Sequence, residues 1–308
     1  MLLKEKQAVQ QYLRKLQPLA RGKVEEAAHL TQAVLHLWQK QSYPILVKHS
    51  PQSAKELLEN PLVVEFAAWL AGLDILTGAF WLSSAYAHWV GEGVRTERAM
   101  FFTPPELSSR LIDNLVAHGA SLTRHVWMDP ASGGAAFLAL VALRMADTLR
   151  TNGKTSAETL KHIARHLIGN DIDICLTSMS KHFLCMALCK EISEAGFEPQ
   201  FEVTTANALV GLKRHEGSVD VVICNPPYRK MPSSEVTGYR EGYQDVIAGQ
   251  PNLYALFFKL ALSLLKPSGI AGLLTPTSYL SGQYFSPLRK YLRTYAEVHQ
   301  LDIIGALV

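Results

Sequence analysis

Val219-Asp220-Val221-Val222-Ile223-Cys224-Asn225-Pro226-Pro227-Tyr228 decides how the rest of the chain is read. A nearly unbroken run of β-branched and apolar residues is the pattern of a strand buried on both faces, as in a parallel sheet. The run stops at an amide, two prolines and an aromatic ring. The prolines fix φ and remove two backbone donors, so these four residues form a rigid turn at the strand's carboxyl end. Outward from this stretch, further strands are predicted over residues 125–129, 167–173, 201–205, 270–275 and 298–304. Helices are predicted over 135–150, 178–195 and 253–265, the last closed by Lys266-Pro267-Ser268-Gly269. Strands alternating with helices predict an α/β, Rossmann-like domain with a parallel sheet covered on both faces. Ligands of such sheets bind beyond the carboxyl ends of the strands. The sites are therefore expected in the turns after Asp129, Ile172, Thr205 and Cys224.

Residues 1–98 read differently. Leu, Val and Trp recur there at helical spacing, Pro44, Pro51 and Pro61 punctuate the segment, and Asn60-Pro61 reads as a helix start. The division expected is a helical N-terminal domain over 1–98 and a catalytic domain over 99–308. The first part holds no Asp…Glu-x-Lys arrangement of a nuclease. Residues 66–90 are rich in Ala, Leu, Trp and Phe but are interrupted by Gly72, Asp74 and Gly78, which predicts two packed helices broken near Gly78 and no membrane span. With 48% hydrophobic and 19% charged residues, the 308-residue chain can bury a large core. A net charge of +3 permits a nucleic-acid partner without requiring one. Four cysteines without a CxxC pair, and no histidines at zinc spacing, predict no metal site and a reducing, cytoplasmic setting.

Asp129-Pro130-Ala131-Ser132-Gly133-Gly134-Ala135-Ala136-Phe137 follows one strand and opens a helix. Small residues let a ligand approach the backbone, and a helix start offers free N–H groups. The order is neither G-x-G-x-x-G nor a Walker loop. The next strand ends in Asp171-Ile172-Asp173, where the Asp171 carboxylate is placed to accept from two ribose hydroxyls; helix capping is the competing role for that acid. Ribose without a phosphate loop favours S-adenosylmethionine over a nucleotide.

The turn after Cys224 suggests what such a cofactor would serve. An exocyclic amine is a poor nucleophile because its lone pair is delocalised into the ring. The side-chain oxygen of Asn225 and the carbonyl of Pro226 can accept from its two N–H groups and return the lone pair to nitrogen, while Pro227 rigidifies the turn and Tyr228 stacks on the base. On this reading Tyr228→Phe is tolerated. Arg229 and Lys230 are candidate phosphate contacts. Asn-Pro alone is a common turn; it is the position after an apolar strand, downstream of the small-residue cradle, that gives it weight.

These segments resemble the N6-adenine DNA methyltransferases in which the cofactor motif precedes the catalytic one. Phe101-Phe102-Thr103-Pro104-Pro105 is similar to the family's Tyr-Tyr-Thr-Pro segment, the cradle to its Asp-Pro-x-Cys-Gly-Ser-Gly-x-Phe, and Asn225 to Tyr228 match fully. The resemblance implies cofactor contacts from Thr103, Pro104, Asp129, Ala131, Gly133, Asp171 and Asn207, and catalysis by Asn225, Pro226, Pro227 and Tyr228. Ser132, Gly134 and Ala135 depart from the cradle, and Asn207 stands where the family has Asp. A methyl group on Ala135 and the lost charge at Asn207 imply weaker cofactor binding. The implied partner is double-stranded DNA with the adenine flipped out, read by a specificity subunit or by sequence outside this chain, in a restriction-modification or related defence system. A non-catalytic methyltransferase-like subunit, or an enzyme acting on RNA or protein glutamine, is the alternative.

Overall fold

The computed structural model describes residues 2–47 and 55–304; Pro51 and the last four residues lie outside the described residues. Helices come first: α1 (Leu2–Ala20), α2 (Val24–Ser42), α3 (Lys55–Leu58), α4 (Pro61–Ala71), α5 (Ile75–Trp89) and α6 (Glu92–Glu97). The Asn60 side chain accepts from the Leu62 and Val63 amides at 3.0 and 3.4 Å, and Pro61 takes the first helical position, where no hydrogen bond is lost. Asp74 caps α5 in the same way, through Leu76 and Thr77. The break between these helices thus falls at residues 72–74 and not near Gly78. Gly78 lies inside α5, where a Cβ would sit 2.4 Å from the Trp38 ring. No described helix is long and apolar enough to cross a membrane.

Beyond α6 the chain runs through α7 (Pro105–Ala117), β1 (Trp127–Asp129), α8 (Ala136–Thr151), α9 (Ser156–His166), β2 (Leu167–Asp171), α10 (Ile174–Ala187), α11 (Cys189–Ala195), β3 (Glu202–Thr205), α12 (Ala208–Gly211) and β4 (Val219–Cys224). It continues with α13 (Ser233–Tyr243), α14 (Leu253–Leu264), β5 (Leu265–Leu273), α15 (Ser278–Ser281) and α16 (Ser286–Tyr295). The strands form one parallel sheet in the order β3-β2-β1-β4-β5. Met128 pairs with Ile168 on one side and Val222 on the other, so the strand order reverses between β1 and β4. A crevice opens at such a reversal because the connections leave in opposite directions.

Alternate residues of the buried strands serve different cores. Trp127, Val221 and Ile223 face one apolar cluster, Met128, Val222 and Cys224 the other. The first cluster is continuous with the N-terminal helices: Leu30, Trp38, Phe66 and Leu82 belong to it together with Phe137 and Phe183. Trp38 meets Phe183 with ring centroids 6.0 Å apart.

Three predicted elements differ. Residues 298–304 form no strand; they run beside α7, where Asp302 accepts from Arg110 and Asn114. Lys266-Pro267-Ser268-Gly269 does not follow the helix as a turn but lies within β5 as a bulge, with Val219 opposite Leu265 and Val221 opposite Ile270. Ser268 there takes a φ of +67°. The helix expected over 178–195 begins earlier, at Ile174, because Asp173 leaves the strand to cap it, and it breaks at Leu188 into α10 and α11.

Contact between the helical layer and the sheet is closest at the cradle. A Cβ on Gly134 would lie 1.7 Å from Ser83 Oγ and 2.6 Å from Ser83 Cβ on α5. Gly134→Ala should therefore destabilise the protein by about 1–3 kcal/mol, the usual cost of overpacking, read as a lower thermal midpoint. Adding Ser83→Ala should restore only part, since its Cβ stays in the way.

Candidate active site

At the carboxyl ends of the strands lies a cavity of about 380 Å³, within the range of small-molecule sites. Ala131 and Gly133 from the turn after β1, Asp171 and Ile172 from the end of β2, Asn207 after β3, and Asn225 and Pro227 after β4 all line it. The structure thus gathers six of the sequence-predicted site residues on one wall. Thr103, Pro104, Asp129, Pro226 and Tyr228 do not line it, and each is placed differently.

Asp129 is buried behind the cradle. Its Oδ1 accepts from the Ala131 amide at 3.1 Å, and its Oδ2 has no partner among the described residues. Burial pushes its carboxyl well above the ordinary range, the Ala131 amide opposes this, and the neighbouring Asp171 adds to it. Asp129 therefore braces the turn. Gly133 adopts a φ of +51°, and a Cβ on it would approach the Phe102 ring to 3.1 Å, so the turn stays bare toward the cavity. Ala135 also takes the left-handed conformation, φ +58°, but it is fully buried in the core and absent from the wall. Its methyl group points into the core and does not border the cavity, so its cost here is backbone strain.

The Asp171 carboxylate ties two turns together. Oδ2 accepts from the Gly133 amide and Oδ1 from the Asp173 amide, both at 2.9 Å. Capping falls to Asp173, which accepts from Cys175 and Leu176. Burial pushes the Asp171 carboxyl up to about 6 despite these amides. Asn207 is engaged on both sides: Oδ1 accepts from Leu209 at 3.1 Å, and Nδ2 donates to the Tyr239 hydroxyl at 2.7 Å. An aspartate could not donate that second bond, which gives the Asn a role of its own here.

Asn225 Nδ2 donates to Thr103 Oγ1 at 3.0 Å and approaches the Phe101 carbonyl oxygen at 3.4 Å. Thr103 thus acts on the amide, and Pro104 precedes α7. The Tyr228 hydroxyl donates to the Leu274 carbonyl oxygen at 2.7 Å and lies against Asn225 Oδ1. The Tyr228 ring stands edge-on to Tyr254, 6.2 Å between centroids. Arg229 is not the free phosphate contact expected of it: its guanidinium forks onto Glu235 on α13 at 2.6 Å to each oxygen, within the cavity wall. Lys230 is exposed. Sequence reasoning missed the wall residues Arg98, Glu235 and Tyr239. No local pattern marks them, because each reaches the site across the fold.

The parallel order 3-2-1-4-5 brings together a small-residue turn after β1, an acid at the end of β2 and an Asn-Pro-Pro-Tyr turn after β4. Residues 73–306 match the family model described as Eco57I restriction-modification methylase, and the chain belongs to that family. A search of curated proteins finds no match. Among solved structures, a DrdV–DNA complex is similar with a TM-score of 0.65 at 15% identity, over 94% of this chain and 37% of that one. The type IIG restriction endonuclease BpuSI is similar at 0.56 and 18%, over 89% and 33%. A putative class I S-adenosylmethionine-dependent methyltransferase of Listeria monocytogenes is similar at 0.51 and 16%, over 94% and 78%. The chain spans about a third of the length of the DrdV and BpuSI chains.

The wall fits the cofactor of that class. It offers the Asp171 carboxylate as an acceptor for ribose hydroxyls, a turn of small residues, and apolar surface from Ile172, Leu209 and Phe257 for an aromatic ring. The ionised Asp171 is the better acceptor for ribose hydroxyls, so a cofactor held there would lower its pKa and its binding would be linked to loss of the proton. Affinity for S-adenosylhomocysteine should fall as pH drops through about 6 and level off above it. Calorimetry across that range checks this, with Asp171→Ala expected to abolish the pH dependence.

Proposed function

We propose that the protein transfers a methyl group from S-adenosylmethionine to the N6 amine of adenine in double-stranded DNA. The observation that carries the reading is that Asn225 lies on the same cavity wall as Asp171 and Gly133, at the strand-order reversal. The cofactor supplies an electrophilic sulfonium methyl group. Gly133 and Ala131 present bare backbone to it, Asp171 accepts from its ribose, and Ile172, Leu209 and Phe257 bound its adenine ring.

For the substrate amine, the Asn225 Oδ1 and the Pro226 carbonyl oxygen are the two acceptors. Thr103 and Phe101 hold the amide by its nitrogen, so its oxygen is the atom left for the substrate. The Tyr228 hydroxyl, which lies against that oxygen, gives its single proton to the Leu274 carbonyl and so leaves Oδ1 able to accept from the amine. Accepting from both N–H groups concentrates electron density on nitrogen, and holding it beside the methyl donor supplies the proximity term. The target amine is paired inside a duplex, so the base must leave the stack to reach the turn. DrdV, solved as a complex with DNA, supports a DNA substrate. Recognition of a particular sequence is assigned to a specificity partner or to sequence beyond this chain.

Asn225→Ala should lower methyl transfer to plasmid DNA by at least about 10²-fold, the usual loss for one transition-state hydrogen-bonding group. Its affinity for S-adenosylhomocysteine should change little. Transfer to RNA or a protein glutamine, but not to DNA, would overturn the substrate assignment. Tyr228→Phe is expected to slow transfer about two- to tenfold, the worth of one neutral hydrogen bond. That departs from the tolerance expected from sequence, because the hydroxyl has two partners. Single-turnover rates distinguish the two expectations.

A further inference from the structure

The helices of the first hundred residues hold no catalytic group, yet two of their side chains reach the cofactor end of the sheet. Asp173 is 2% exposed. Its Oδ1 accepts from the amides of Cys175 and Leu176 at 2.8 and 3.1 Å. Its Oδ2 accepts from the Tyr86 hydroxyl on α5 at 3.0 Å and is ion-paired with the Arg98 guanidinium just beyond α6. The amide of the same residue donates to Asp171 Oδ1. The acid that faces the cavity is therefore held by a residue whose own carboxylate is clamped from the N-terminal layer. On the far side of the cradle, Ser83 of α5 presses on Gly134. One helix thus meets the cofactor site at both of the turns that Asp171 joins.

A buried carboxylate tolerates burial only while its partners stay in place; removing the cation leaves an uncompensated charge that must move toward water. Movement of Asp173 takes its amide away from Asp171. We propose that Arg98 and Tyr86 are positioning residues of the cofactor site: by holding Asp173 they set the Asp171 carboxylate where it meets the ribose hydroxyls, so that cofactor affinity depends on docking of the N-terminal helices. This rests on the reading that S-adenosylmethionine occupies the cavity. Arg98 also lines the wall, so a direct contact with the cofactor is the competing explanation for any effect of its removal. Tyr86 is fully buried and off the wall, and cannot act that way.

A double-mutant cycle separates positioning from contact. S-adenosylhomocysteine is titrated calorimetrically, up to millimolar concentration, into the full chain as wild type, Arg98→Met, Arg98→Lys and Tyr86→Phe, each with and without Asp171→Ala. Arg98→Met should raise Kd about tenfold and Tyr86→Phe about threefold, as expected for residues coupled through one network. Arg98→Lys should recover part of the loss, a point charge replacing a fork. In the Asp171→Ala background neither change should weaken binding further. Wild-type Kd in both Arg98→Met and Tyr86→Phe overturns the proposal, as does a loss that persists undiminished without Asp171. If Arg98→Met fails to fold, Tyr86→Phe and Arg98→Lys carry the same test. A wild-type chain that binds no S-adenosylhomocysteine overturns the cofactor reading itself, and the proposal with it; binding by wild type with unaffected variants overturns the proposal alone.

Discussion

The hydrogen bond from the Gly133 amide to Asp171 Oδ2, 2.9 Å across the ends of β1 and β2, is the contact on which the candidate site depends. It joins the turn that must stay bare to the acid that must face the cavity. Each partner is constrained from behind. Gly133 has a left-handed φ and a ring of Phe102 over its missing Cβ. Asp171 is pinned through its second oxygen by the amide of Asp173. Neither turn can shift without pulling the other, and the cavity between them keeps its shape.

Three acids crowd this end of the sheet, and the fold treats them unequally. Asp173 has a cation and a phenol beside it and caps a helix. Asp171 has backbone amides and no cation, which leaves its pKa elevated by burial. Asp129 has one amide and is likewise pushed well above the ordinary range by burial. Burial without a cation disfavours charge, so the three carboxyls need not all be ionised together, and repulsion among them is relieved. Asp171 and Asp173 both border the cavity, but only the Asp173 carboxylate has a cation beside it.

On the other side of the strand-order reversal, Asn225 is oriented by its nitrogen, not its oxygen. Thr103 and Phe101 come from the segment that leads into α7, more than a hundred residues earlier in the chain. This explains the resemblance of residues 101–105 to a family segment better than a cofactor contact at Thr103 alone does: in this structure the threonine hydroxyl serves the catalytic turn. Membership of the Eco57I restriction-modification methylase family is consistent with that division, since the matched span includes both segments.

Local sequence determined the parallel α/β fold, the strand from Val219 to Cys224, the bare turn after Asp129 and the Asn-Pro-Pro-Tyr turn, because burial on both faces, small residues and proline each act within a few positions. It also marked the helix start at Asn60-Pro61. It misplaced the helix break at Gly78, a glycine that instead makes room inside α5 for the Trp38 ring of another helix, and it drew a strand over residues 298–304, whose hydrophobic alternation found no neighbouring strand among the described residues. Only the tertiary structure decided that Ala135 turns its methyl group into the core, that Arg229 is spent on Glu235, that the Tyr228 hydroxyl serves Asn225, and that Tyr86 and Arg98 reach the cofactor end of the sheet. The contacts of Tyr86 and Arg98 with Asp173 join residues far apart in the chain, and even the short-range pairs at Arg229 and Tyr228 depend on how the surrounding elements pack, which no local pattern of residues encodes.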